Sequence, residues 1–299
     1  NASEYAREIS MTWVSFSLLA SVTAALMTQI NQHLQLRPSL VILLRSVFTL
    51  ILVAPLVAPI VWPSDGLFYA YFFAAAFFAF AGDMILFETA RQHGGRLTTL
   101  FMPVKIITAF LLWAAIDRVF LMNFFQTPLV STGILLFLLL SVYAIVNLRH
   151  CDASWPAFKK VFWVGICYTL LDVFVKLGME KTSFFDTALL FVFIRSMIGV
   201  PIAVLMLRFQ QENGALESWR TITNEKHYFL LGAGGLLGVL SVANTFSINM
   251  SVGLSPNPGY VSVLLLLSTV WLSLYNRVRG YDDRASVKNI ALLLVSAVG

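Results

Sequence analysis

Charge is what this chain has least of. Of its 299 residues only 12% are Asp, Glu, Lys or Arg, where a soluble domain carries about 25%. That scarcity excludes an ordinary water-soluble surface. Cysteine is scarcer still: Cys151 and Cys167 are the only two, with no CxxC spacing. Neither a disulfide framework nor a thiolate metal site can be built from them. The four histidines, His33, His93, His150 and His227, all fall between hydrophobic runs. There is no HExxH, no His/Cys cluster and no Ser/His pair in matching runs, so no catalytic residue, metal or cofactor is expected. An intramembrane enzyme or a receptor is the less favoured class. The net charge of +5 comes from residues scattered over short connections, which argues against a nucleic-acid partner.

What the chain does have is apolar sequence: 59% of it, with a mean hydropathy of +0.81. Ten runs read as membrane helices, at 11–30, 38–62, 67–89, 97–116, 129–147, 158–179, 185–208, 228–250, 256–275 and 287–299. A bilayer core takes about 20 apolar residues per helix, so ten spans use about 200 and leave too few for a separate soluble domain. The expected fold is all-α, one membrane domain over 1–299. The last run stops at Gly299, so the chain given is expected to end inside a truncated helix, and Asn1-Ala2-Ser3 reads as an artificial start rather than a signal peptide. Pro55, Pro103 and Pro201 lie inside runs and should bend them.

The runs fall into two sets of five, 11–147 and 158–299. Leu43-Leu44-Arg45-Ser46 in the second run has a counterpart in Phe193-Ile194-Arg195-Ser196 of the seventh. A five-helix unit begins and ends on opposite sides of a membrane, so a second copy is inverted. Inverted repeats are an architecture of transporters. Orientation follows from lysine and arginine in the connections. One side holds thirteen: Arg37, Arg91, Arg96, Arg149, Lys159, Lys160, Arg208, Arg220, Lys226, Arg277, Arg279, Arg284 and Lys288. The other holds Arg7, Arg118 and Lys181. The count makes the first side cytoplasmic and puts both termini outside.

Seven ionisable residues fall within runs: Arg45, Asp83, Glu88, Lys105, Asp172, Lys176 and Arg195. Each costs about 2.5–3.5 kcal/mol to insert, so they should face a cavity or one another. Asp172 and Lys176 share a helix face and can pair directly, while Gly165, Tyr168 and Thr169 continue their stripe. An ion pair and a cavity-lining stripe are compatible readings. Asp83 and Glu88 are five apart, about 140° around a helix, so they face differently. Asp83 is the better cavity candidate, and Glu88 is expected to pair near the surface with Arg91. Lys105 either pairs with Asp83 or binds a carboxylate or phosphate. Arg45 is shallow enough to snorkel to the headgroups, whereas Arg195 is not. In run 8, Gly234, Gly238, Ser241 and Thr245 form a small face suited to close packing, and Asn244 and Asn249 demand partners. Run 1 has a similar stripe in Ser17, Ser21, Thr28 and Gln32. The turn 254–260 opens run 9 with a helix N-terminus suited to an anionic group.

The junction Leu86-Phe87-Glu88-Thr89-Ala90, Gly94-Gly95 and Pro103, with its counterpart Ser247-Ile248-Asn249-Met250, Pro256 and Gly259, resembles the ten-helix EamA-like group of the drug/metabolite transporter superfamily. The second half lacks a proline matching Pro103. The resemblance spans the chain. It implies a central cavity lined by helices 1, 3, 4, 6, 8 and 9, gating by helices 2 and 7, and peripheral helices 5 and 10 that would serve a homodimer. It also implies cytoplasmic termini, against the charge count. The expected activity is alternating-access transport of a small polar organic metabolite across a bacterial inner membrane: an amino acid, an organic anion or a nucleotide-linked sugar. Asp83, Lys105, Tyr168, Asp172, Lys176 and Asn244 are the candidate substrate contacts; Arg45, Glu88 and Arg195 are gating or structural charges. A lipid-linked substrate flippase is the alternative, for which Phe77, Phe78, Phe80, Phe191 and Phe193 could line an amphiphilic path.

Overall fold

The computed structural model describes residues 2–34, 38–93, 101–147, 155–179, 183–210 and 227–279. Their regular structure is helical: α1 (Ala2–Leu34), α2 (Pro38–Val57), α3 (Gly66–His93), α4 (Phe101–Ile116), α5 (Arg118–Gln126), α6 (Pro128–Asn147), α7 (Trp155–Met179), α8 (Phe184–Gln210), α9 (His227–Leu254), α10 (Pro258–Leu265) and α11 (Leu267–Val278). Seven stretches are long and apolar enough to cross a bilayer: Thr12–Asn31, Ser39–Val57, Gly66–Leu86, Lys159–Met179, Phe184–Arg208, Leu231–Leu254 and Pro258–Val278. The side chains are sorted accordingly. Ile51, Phe73, Phe77, Leu111, Leu139, Trp163 and Leu205 are all more than half exposed, while Arg45, Asp83, Lys105, Asp172 and Lys176 are buried. In water this arrangement would expose apolar surface and bury charge. In lipid each group has the solvent it needs. The chain is a helical multi-pass membrane protein.

Several boundaries differ from the sequence expectation, each for a local reason. The second helix stops at Val57 instead of 62 because Pro59 has no N–H to donate and restrains Ala58. Beyond it, Tyr69 donates its hydroxyl proton to the Pro63 carbonyl at 2.7 Å. Pro103 falls in the first turn of α4 as described, where no helical bond is lost, so it does not bend a helix interior there. Helix α4 has 16 described residues and is short for a span. Residues 97–100, and the whole tenth run, lie outside the described residues. The ninth run is one span with a tightened turn: Leu266 keeps right-handed helical dihedrals, and its N–H bonds to Val263 three residues back at 3.1 Å.

Helix α5 lies in a stretch read as a connection. Asp117 caps it, its Oδ1 accepting from Phe120 N at 2.9 Å. Phe120 and Phe124 pack on Phe110, with centroids 6.0 and 5.5 Å away, while Val119, Met122 and Phe125 face outward. It meets α6 at a bend of 108°.

The helices associate in a regular pattern. The most extensive contacts are α3 on α7, α1 on α9, and α2 on α8; α4 packs on α7, and α1 on α10 and α11. Side-chain contacts fix the directions. Ser17 meets Ser251 and Ala20 meets Asn244, so α1 and α9 are antiparallel. The approaches of Gly82 to Tyr168 and of Gly178 to Phe72 make α3 and α7 antiparallel. Gly165 against Val104 and Thr169 against Thr108 make α4 and α7 parallel. Ser21 to Trp271 and Gln29 to Asn276 do the same for α1 and α11. Among the described residues, helix α6 makes its main contacts with α4 and α5.

Candidate functional site

Glycine at position 82 lets α7 come close to α3. A Cβ there would stand 3.2 Å from the Tyr168 ring. With the ring so near, Tyr168 donates its hydroxyl proton to Asp83 Oδ1 at 2.6 Å. The other oxygen, Oδ2, accepts from Arg195 of α8 at 3.0 Å and also from Arg45 of α2. Four helices therefore converge on one carboxylate. The guanidinium of Arg195 lies 6.0 Å from the Phe80 ring, one turn before Asp83. Such a carboxylate is tolerated in a low-dielectric interior because both oxygens carry charge-assisted or hydroxyl donors.

Arg45 was expected to snorkel. It points inward instead, 8% exposed and bonded to Asp83, because α3 offers it a buried partner of opposite charge. Helix position alone says how deep a residue is, and not which way it faces.

A second pair lies beside the first. Lys105 Nζ stands 2.8 Å from Asp172 Oδ2, an ion pair without aligned hydrogen-bond geometry at that oxygen. The alternatives read from sequence, Lys105 with Asp83 and Asp172 with Lys176, give way to this cross-helix pairing. Its scaffold is a hydroxyl contact, Thr108 to Thr169 at 2.6 Å, with Thr169 also bonded to the Lys105 carbonyl at 3.3 Å. The Lys105 ammonium sits 5.9 Å from the Tyr168 ring, so Tyr168 touches both ion clusters.

Lys176 has a different task. It donates to the carbonyls of Val252 at 3.3 Å, Gly253 at 3.4 Å and Ser255. These belong to the C-terminal end of α9, where helical carbonyls lack partners and the dipole is negative. The same ammonium lies 4.9 Å from the Trp113 ring. Just beyond, Asn257 caps α10, accepting from Gly259 N at 2.8 Å. The expected N-terminus at 257–259 is thus present, with its cap supplied by the chain itself.

Asn244 lies apart from these groups. Its amide donates to the Ala20 carbonyl at 2.9 Å and to Thr23 at 3.0 Å, tying α9 to α1. Glu88 is half-buried near the end of α3, one and a half turns past Asp83; the Arg91 side chain lies outside the described residues. Of the phenylalanines considered for a lipid path, Phe77 faces outward, whereas Phe80 and Phe191 are buried. They do not share one surface.

The small face of α9 splits into two uses. Gly234 and Gly238 make room for Phe48 of α2: a Cβ on Gly238 would stand 2.5 Å from Phe48 Cβ and 3.3 Å from the Thr49 backbone nitrogen. Ser241 and Thr245, further along the same face, line a cavity of about 10 Å³ with Arg45, Ser46, Arg195 and Ser196. Both Arg-Ser dipeptides reach this one cavity. It lies among α2, α3, α8 and α9, a different set from the six helices implied by the resemblance. Thr49 also lines it, and nothing in the sequence marked that residue. Its only signal was being four after Arg45, on the same helix face.

No family model matches the chain, and no curated protein matches it. Its fold is nevertheless similar to that of a solved crystal structure described only as a protein. The two superpose with a TM-score of 0.63 over 98% of this chain and 95% of the other, at 14% identity. At that identity the similarity speaks for the fold alone.

Proposed function

We propose that the chain is an alternating-access transporter of a small polar organic metabolite, built from two inverted five-helix halves. The observation that carries this reading is where the buried ion pairs lie. Arg195 and Tyr168, from the second half, hold Asp83 of the first; Asp172, from the second, holds Lys105 of the first. Ion pairs across the boundary between two halves are the contacts that a rocking motion makes and breaks.

The packing supports the two-fold relation. Exchanging each helix for its counterpart turns the α1–α9 contact into α7–α3, and α4–α7 into the contact of α1 with α10 and α11. Both members of each pair are present with the same relative direction. The α2–α8 contact maps onto itself.

The substrate class follows from the charges. Lys105 and Asp172 are partners that a zwitterion or an organic anion can replace, its carboxylate or phosphate taking the place of Asp172 beside Lys105. An amino acid or organic anion fits best. The flippase reading gains no support from the phenylalanines, which are split between core and surface. The expected membrane is a bacterial inner membrane, with the exposed face of α6 (Leu129, Leu136, Leu139) turned to lipid or to a second copy.

The test has two steps. A thermal-shift screen of the purified protein against pooled metabolites identifies ligands, since specific binding stabilises the folded state. Uptake of each hit into proteoliposomes is then compared for wild type, Lys105→Ala, Asp172→Ala and Arg195→Ala. Unchanged uptake in all three variants sinks the site, and the absence of uptake for every stabilising ligand sinks the transport reading.

A further inference from the structure

The cluster at Asp83 does not balance. Two guanidinium groups, Arg45 and Arg195, share one carboxylate, and the third group bonded to it is the phenolic hydroxyl of Tyr168. Among the described residues, the charged or titrating groups acting on Arg195 are Asp83, Arg45 and Tyr168 themselves. With Tyr168 neutral, the group carries a net charge of about +1 in a low-dielectric interior, a state that is stable only with a counter-charge at hand.

Directly against both arginines lies the cavity of about 10 Å³. That is close to one solvent-sized sphere. Hydroxyls from three helices line it, those of Ser46 and Thr49 on α2, Ser196 on α8, and Ser241 and Thr245 on α9. Thr49 is 1% exposed, and its Oγ1 has no hydrogen-bond partner in the protein. A buried hydroxyl without a partner is uncommon and calls for an explanation. Size, charge and donors point the same way.

We propose that this cavity is a binding site for a single halide ion, chloride in the cell. The ion neutralises the excess guanidinium charge and accepts a hydrogen bond from Thr49, with Ser46, Ser241 and Thr245 beside it; the Ser196 hydroxyl proton is already given to the Val192 carbonyl at 2.8 Å. A cation is repelled by two arginines. Sulfate and phosphate carry more negative charge than the single excess positive charge, so a singly charged ion is the match. Water fits the space but leaves the charge uncompensated. The site is independent of the transport reading: it rests on the local charge balance and holds whether or not the chain carries a metabolite.

Two measurements on the purified protein in detergent decide it. Unfolding midpoints are recorded in sodium chloride, sodium bromide, sodium gluconate and sodium sulfate at matched ionic strength. Saturating halide should raise the midpoint by about 5 °C over the other two salts. Crystals grown in bromide should show an anomalous peak inside the cavity. Thr49→Val keeps the shape and removes one donor, so it should weaken halide affinity about tenfold. Arg195→Gln should abolish the halide dependence. Equal midpoints in all four salts overturn the proposal, as does bromide bound elsewhere and not in the cavity. Should Arg195→Gln fail to fold, Thr49→Val decides alone among the variants, and a halide affinity unchanged by it rejects the site.

Discussion

Arg45 and Arg195, 150 positions apart in the chain, donate to the same oxygen of Asp83. One belongs to each half, and a carboxylate of α3 joins them. Removing that carboxylate leaves two buried cations facing each other. Asp83→Asn should therefore lower stability by about 3–5 kcal/mol, the cost of breaking a buried pair from one side. Tyr168→Phe, which removes one hydroxyl donor, should cost about 1 kcal/mol. Denaturant-induced unfolding in mixed micelles measures both, and equal losses in the two variants would contradict this ranking.

Lys105 and Asp172 are expected to be energetically coupled across the half boundary. A double-mutant cycle of Lys105→Ala and Asp172→Ala should give an interaction energy of about 1–3 kcal/mol. The exchange Lys105→Asp with Asp172→Lys should recover stability lost in either single reversal. Strictly additive single mutants would show that the 2.8 Å approach contributes nothing.

Lys176 is assigned to the C-terminal end of α9, so its loss should be local. Lys176→Met keeps an unbranched side chain but removes the ammonium that donates to three carbonyls and lies 4.9 Å from the Trp113 ring. The expected cost is about 1.5–3 kcal/mol, with faster amide exchange concentrated at residues 250–255. Protection unchanged there would refute the capping role.

Gly238 and Gly235 are adjacent in type but not in circumstance. A Cβ at 238 collides with Phe48 and the backbone behind it, whereas at 235 the nearest atom is 4.0 Å away. Gly238→Ala should destabilise by about 1–3 kcal/mol through overpacking, and Gly235→Ala should be neutral or stabilising. Thermal unfolding of the two variants gives the comparison directly.

Orientation is tested by thiol chemistry. Cys167 is buried, and Cys151 lies in the connection between the fifth and sixth runs, outside the described residues. The thirteen-to-three bias places that connection in the cytoplasm. An impermeant maleimide should leave Cys151 unlabelled in intact cells and label it after permeabilisation; labelling from outside reverses the topology.

Much of this organisation was legible before any coordinates. Run lengths and the scarcity of charge mark the membrane helices, and an ionisable residue in such a run almost has to turn inward, as Asp83, Lys105 and Asp172 do. Which charge meets which was not legible. Asp172 and Lys176 are ideally spaced to pair within α7, yet Asp172 takes Lys105 and Lys176 takes the end of α9, because interhelical partners lie closer than the next turn. Arg45 was misjudged for a similar reason, since depth along a helix carries no information about rotation. Pro59 and Asp117 were local signals that set the end of α2 and the start of α5. The unpartnered Thr49 is a product of four helices meeting, and within α2 its only trace is the four-residue spacing from Arg45.

The seat of Phe48 on α9 bears on how the molecule can move. Its ring lies over Gly234 and its Cβ over Gly238, four residues further along, like a tooth engaging two notches of a rack. Sliding α2 along α9 would drive that tooth out of its two notches and against residues that carry side chains, Ser241 being the next on that face, until it dropped one helical turn away, about 5.4 Å on. Short of such a jump the two helices travel as one body, although they come from different halves. In the transport cycle proposed above, the moving joint would then lie elsewhere, along α3, α4 and α7, where the contacts are ion pairs and hydroxyls that a solute could replace.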